Sequence, residues 1–236
     1  MISARTIAIV ALGALLFAPA AAAETDAMIL TFVEVERLEA RVKDGKETLN
    51  WEAQGWIGED YNKLWIKTEG EQQAGGKLEK AEVQVLYSRL VSDFFDVQAG
   101  VRHDFDPHPS RTFGVIGVQG LAPHFFEANA AAFVSDHGEV SARFEAEYDL
   151  LLTQRLVLQP SAEINVAAQS VRERGVGAGV NDVELGLRLR YEIRREFAPY
   201  VGLSWERKLG RTDDLARDAG EDVETLSFVV GLRMWF

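Results

Sequence analysis

The carboxyl-terminal stretch alternates. Read back from the last residue, Phe236, Met234, Leu232, Val230, Phe228 and Leu226 fall on one face, and Trp235, Arg233, Gly231, Val229, Ser227 and Thr225 on the other. The first face is apolar throughout and the second is mostly small or polar. Successive strand side chains point to opposite sides, so the period of two marks a strand with one greasy and one wet face. A strand with hydrocarbon on one side and an aqueous lumen on the other needs this pattern. A half-buried edge strand of a soluble sandwich would show it too, so the rest of the chain must discriminate.

The same pattern recurs along the sequence. Glu139 to Leu151 sets Val140, Ala142, Phe144, Ala146, Tyr148 and Leu150 against Ser141, Arg143, Glu145, Glu147 and Asp149. Asn181 to Ile193 sets Val183, Leu185, Leu187 and Leu189 against Glu184, Gly186, Arg188 and Arg190. Segments near Leu30–Val42, Glu47–Ile57, Lys63–Gly70, Leu78–Val91, Phe94–Phe105, Thr112–Leu121, His124–Ser135, Gln154–Ala167, Phe197–Lys208 and Val223–Phe236 complete about twelve strands of the length a tilted spanning strand requires. Odd-numbered connections such as Ala168–Val180 and Leu209–Asp222 are long, whereas even-numbered ones such as Ser92-Asp93 and Ala122-Pro123 are tight. Outer-membrane barrels alternate in this phase, with short periplasmic turns and longer outer loops, and a soluble sandwich has no reason to. The expectation is an all-β fold, an antiparallel transmembrane β-barrel of about twelve strands in up-and-down topology. A terminal Phe closing the last strand resembles the end of bacterial outer-membrane barrels.

The amino terminus reads as an export signal. Arg5 precedes the apolar run Thr6 to Phe17, and the small residues up to Ala23 offer a cleavage site before Glu24,. Residues 1–23 are therefore expected to be a signal peptide and 24–236 one barrel domain in a Gram-negative outer membrane. The apolar run is too short to span, and no later stretch is a candidate helix, so membrane crossing falls to strands. Cysteine is absent, so closure of the sheet rather than disulfides must stabilise the exported chain. A formal charge of -12 argues against nucleic acid as a partner.

The polar face is densely charged. By alternation Glu52, Lys67, Glu69, Glu82, Arg102, Asp104, Glu127, Arg143, Glu145, Glu147, Asp149, Arg155, Glu163, Glu184, Arg188, Arg190, Glu192, Glu206, Lys208 and Arg233 point inward. Both signs occur, so ion pairs across strands should brace the lumen, with a filter for a small charged solute as the other reading. Leu187 and Val201 should meet lipid. Metal ligands are sparse. His103, Asp104, Asp106 and His108 lie at one strand end and its outer loop, and Asp136 and His137 in the next outer connection. If those ends are neighbours, His103, His108 and His137 with Asp104, Asp106 and Asp136 could approach one another. Imidazole and carboxylate suit Cu(II) or Zn(II), although the spacing matches no tight ligand pattern; exposed loop histidines are the plainer reading. Ser110 beside His108 and Asp106 is the best hydrolytic grouping and it is weak. With no nucleophile elbow or phosphate-cradling loop, no enzyme activity is expected.

Two longer runs are distinctive: Leu151-Leu152-Thr153-Gln154-Arg155-Leu156-Val157-Leu158-Gln159-Pro160, and Leu185 through Gly202, which includes Tyr191-Glu192-Ile193-Arg194-Arg195-Glu196-Phe197-Ala198-Pro199-Tyr200. With Gly117 through Pro123, Tyr87-Ser88-Arg89 and the closing Gly231-Leu232-Arg233-Met234-Trp235-Phe236, the chain from about Val33 to Phe236 resembles the copper resistance protein B family of Gram-negative outer membranes. The resemblance implies a barrel that supports copper tolerance by binding copper or passing it outward from the periplasm. Outer-membrane lipid, copper ions and a periplasmic copper-handling protein are the partners it suggests. Family members often carry a Met- and His-rich segment ahead of the barrel, whereas only Glu24 to Ile29 precede the first strand here. After the signal the methionines are Met28 and Met234, so thioether ligands for Cu(I) are scarce and Cu(II) is favoured. The alternative is a small porin or structural barrel without metal specificity.

Overall fold

The computed structural model describes residues 28–43 and 46–236. The proposed signal peptide, the residues up to 27 and the Asp44-Gly45 turn lie outside these. The described residues form twelve antiparallel strands: β1 (Leu30–Lys43), β2 (Lys46–Gly58), β3 (Asn62–Gln73), β4 (Leu78–Ser92), β5 (Phe95–Asp106), β6 (Arg111–Ala122), β7 (Phe126–Ser135), β8 (Val140–Tyr148, resumed at Leu150–Leu151), β9 (Leu156–Ala167), β10 (Gly179–Tyr191), β11 (Phe197–Lys208) and β12 (Glu224–Trp235). Each strand pairs with its sequence neighbours, and β1 also pairs with β12. The sheet is therefore a closed up-and-down barrel with no free edge. Closure runs to the last residue: the Phe236 amide donates to the Val33 carbonyl at 2.8 Å, and the Val33 amide to the Phe236 carbonyl at 3.0 Å. The foreseen strands are all present, with ends shifted by a few residues.

The barrel is inside-out. Side chains on one face of every strand are apolar and open to the surroundings: Leu187 and Val201 are each 44% exposed, Ile116 61% and Phe228 50%. The charged face is buried, with Glu39 at 0%, Arg188 at 1% and Glu82 and Asp104 at 2%. A belt of exposed Leu, Ile, Val and Phe on all sides calls for hydrocarbon around it. No helix among the described residues is long and apolar enough to cross a membrane. The barrel is an outer-membrane one, and both chain ends of the barrel lie with the tight turns on the periplasmic side.

Several features escape a reading of alternation alone, and two of them shape the lumen and its outer mouth. The connection 209–223 contains a helix, α1 (Gly210–Ala219), closed at Gly220, which takes a left-handed φ of 73° so that its N–H reaches the Ala216 and Arg217 carbonyls,. Asp213 and Arg217 pair along it at 3.0 Å,. The second is a β-bulge in β1 between Val35 and Arg37. The extra residue reverses which side chains face inward. Val33 and Val35 face out before it, and Leu38, Ala40 and Val42 after it. Glu34 therefore shares the lumen side with Arg37, Glu39 and Arg41.

The lumen as a candidate functional site

Two ion-pair clusters fill the lumen, and β1 carries the first. Arg188 on β10 grips Glu39 with one edge of its guanidinium, Nε and Nη2 donating to the two carboxylate oxygens at 3.0 and 3.1 Å. The Tyr200 hydroxyl donates to the same carboxylate at 3.1 Å and Arg41 at 2.8 Å. Arg41 extends the chain of charges to Glu184 at 2.8 Å, which also accepts from Ser204 at 2.8 Å. With every lone pair of Glu39 engaged and no exposure, the cost of burying the charge is met by charge-assisted hydrogen bonds.

The second cluster centres on Glu82 of β4. Arg143 from β8 meets it at 3.0 Å and Arg102 at 2.8 Å, and Arg143 also reaches Glu69 at 2.9 Å. Phe113 and Phe133 turn their faces to these guanidiniums, with Arg102 4.8 Å above the Phe133 ring, a cation–π arrangement that works best where water is excluded. Arg37 links the two halves. It holds Glu52 on the neighbouring strand at 3.2 Å and reaches across the lumen to Glu147 on β8. Such struts resist ovalisation of the barrel.

Two connections meet at the outer mouth. The connection 168–178 folds inward, and its Arg174 donates to the buried Asp104 at 2.6 Å while lying 5.7 Å over Phe113. Glu173 beside it pairs with Arg111. α1 packs against this connection: the Gly177 amide donates to the Thr212 hydroxyl at 2.9 Å. A Cβ at Gly177 would lie 2.4 Å from the Thr212 backbone nitrogen, so only glycine allows that approach,. Below the charge clusters a cavity of about 390 Å³ remains, reaching Gly120, Leu121 and Glu127 near the periplasmic rim.

The six candidate metal ligands do not converge. β5 places His103 and Asp104 on opposite faces. His103 points outward, its ring edge-on to Phe105 at 4.7 Å and its Nδ1 2.9 Å from the Thr112 hydroxyl. Asp104 points inward, held at 2.6 Å by both Arg102 and Arg174. His108 is exposed and 3.8 Å from Asp106. His137 is exposed and 2.8 Å from Asp136, a hydrogen bond that holds the Asp136 carboxyl below its ordinary range. Two separate His–Asp pairs on outer turns result. Among the described residues no group of three or more His, Cys, Asp or Glu is placed to hold a metal ion.

The charges expected to point inward line or brace the lumen, except that Arg155 lies in the exposed turn before β9. Missing from that set are, among others, the β1 charges, Lys80, which pairs with Glu69, Asp182, which accepts from Asn165, and Arg174. The β1 signal was present in the sequence: the apolar positions change from odd, Val33 and Val35, to even, Leu38, Ala40 and Val42. Nothing local marks Arg174, because insertion of a loop arginine depends on a partner seventy residues away, Asp104.

The fold is shared with outer-membrane porins. The NanC porin superposes with a TM-score of 0.58 at 12% identity, covering 86% of this chain and 98% of the porin. Sequence relatives are nearer. The chain is 46% identical over 211 residues to copper resistance protein B of Escherichia coli, covering 89% of this chain and 71% of that protein. It is 45% identical over 211 residues to the copper resistance protein B homolog of Pseudomonas syringae pv. tomato, with the same coverage. The family model described as copper resistance protein B precursor (CopB) matches residues 29–236. A match over the whole barrel, with the outer-membrane fold to go with it, leaves one conclusion: this chain belongs to the copper resistance protein B family.

Proposed function

We propose that this barrel supports copper tolerance by binding copper at the outer membrane or passing it outward from the periplasm, without enzymatic chemistry. The observation that carries the reading is the 46% identity with the E. coli copper resistance protein B over 211 residues. Copper is cargo here rather than a resident cofactor. Its contacts on this chain are nitrogen and oxygen donors, which suit Cu(II) better than Cu(I). The exposed His108–Asp106 and His137–Asp136 pairs supply these donors at the outer rim, each alone a weak site. A periplasmic copper-handling protein would present the metal at the opposite end, where the lumen cavity reaches the rim.

A second reading is a small-solute barrel that has kept the fold without metal specificity, and the polar cavity favours it. Growth separates the two. A deletion strain should be inhibited at lower copper than its parent, and the wild-type gene should restore tolerance. Unchanged copper tolerance together with altered uptake of small solutes would overturn the copper reading in favour of the second.

A further inference from the structure

We propose that the lumen cavity binds a small zwitterion of the amino-acid type, with its carboxylate on the β3–β5 wall and its ammonium on the facing acidic wall. The inference needs no copper and stands whether or not the copper reading holds.

The first observation is a pair of unused donors. Trp65 on β3 is 7% exposed and Gln98 on β5 is 2% exposed. The indole N–H of Trp65 and the amide nitrogen of Gln98 have no partner, yet both residues line the cavity. Native proteins satisfy nearly all buried N–H groups, because an unmade hydrogen bond costs the full desolvation of the donor. Two such donors on the wall of one cavity point to an acceptor on a ligand. Lys67, whose ammonium lies 5.4 Å over the Trp65 ring and donates to Gln119 at 2.7 Å, adds a positive charge beside them.

The second observation is the charge balance. Carboxylates lining the cavity outnumber cations eight to three. Glu145 accepts from the neutral amide of Asn129 at 2.7 Å and lies 3.9 Å from Arg143, which Glu69 and Glu82 hold more closely at 2.9 and 3.0 Å, so its charge is only partly met within the protein. A simple anion would satisfy the donors but meet this acidic wall. An inorganic cation would satisfy the wall but leave the donors unmade. A molecule carrying both charges satisfies the two together. Between the charged walls lie Leu86, Val115 and Phe133, an apolar floor for a short aliphatic stem. The volume is that of an ordinary small-molecule site.

The test uses the mature chain refolded in detergent micelles, with chelator present, and isothermal titration with three probes. L-lysine carries both charges, 1,5-diaminopentane lacks the carboxylate and glutarate lacks the amines. Lysine should bind saturably and at least about tenfold tighter than either other probe, the usual worth of a hydrogen bond to a charged group. Trp65→Phe and Gln98→Ala should each weaken lysine by about tenfold and leave diaminopentane unchanged. Glu145→Gln should weaken both amines. Heat-modifiable migration identifies folded variants, and the comparison of probes on the wild-type chain needs no variant at all. No saturable heat with lysine, glutarate binding as tightly as lysine, or unchanged lysine affinity in both folded donor variants would each overturn the proposal.

Discussion

Glu39 shows what a single residue does in an inside-out fold. It has no exposure and four hydrogen bonds from Arg188, Arg41 and Tyr200. Removing one partner of a buried pair strands the other charge, which typically costs about 3–5 kcal/mol. Glu39→Ala should therefore lower stability by about that amount in urea unfolding of the micelle-bound barrel, and an unchanged midpoint would show that Arg188 finds another partner. On the opposite face the penalty has a different origin. Leu187 is 44% exposed and Arg188, its neighbour, 1%. Leu187→Arg places a charge in lipid and should cost roughly 2–4 kcal/mol. A lipid-soluble thiol reagent should label a cysteine at 187 and spare one at 188; the reverse would mean that the register is wrong. This facing was legible in the sequence because alternation from Asp182 to Tyr191 is unbroken. The metal ligands were less so. His103 and Asp104 are adjacent, and adjacency within a strand guarantees opposite faces, which separates two residues that composition alone would group.

At the level of elements, β1 and β12 carry the closure. The sequence revealed their existence and approximate limits, since period two survives any uncertainty of one or two residues at the ends. The bulge was written there too, as a switch of the apolar positions from odd to even at Glu36, but a search for unbroken period two passes over it. Deleting Glu36 would remove the extra residue and turn Arg37, Glu39 and Arg41 toward lipid, or force β1 to slip against β2. Either outcome should abolish the compact, heat-modifiable band on a gel; a normal band would show that the bulge is dispensable. Deleting Phe236 removes the residue that pairs with Val33 in both directions and should reduce outer-membrane yield, whereas a normal yield would assign recognition to the rest of β12. The connections were the least legible parts. α1 occupies a stretch without strong apolar periodicity, and it is fixed by Gly177 packing on Thr212, a contact between two loops that no local pattern announces.

The described residues form a closed barrel with the 168–178 connection and α1 packed together at its outer mouth, its middle braced by ion pairs and a cavity left toward the periplasm. This arrangement differs from an open aqueous channel. The outer His–Asp pairs are the proposed copper donors. Nitrogen and oxygen donors on exposed turns predict modest affinity and a preference for Cu(II). Affinity should fall at low pH, because protons compete with the metal for the ligating nitrogen and oxygen donors. The most direct measurement is titration of the refolded barrel with Cu(I) and Cu(II) separately, on the wild-type chain and on the His103→Ala, His108→Ala, His137→Ala triple variant. Weak saturable Cu(II) binding at neutral pH, weaker Cu(I) binding and loss of the Cu(II) signal in the triple variant are expected. Tighter binding of Cu(I), or Cu(II) affinity unchanged by removing all three histidines, would contradict this expectation.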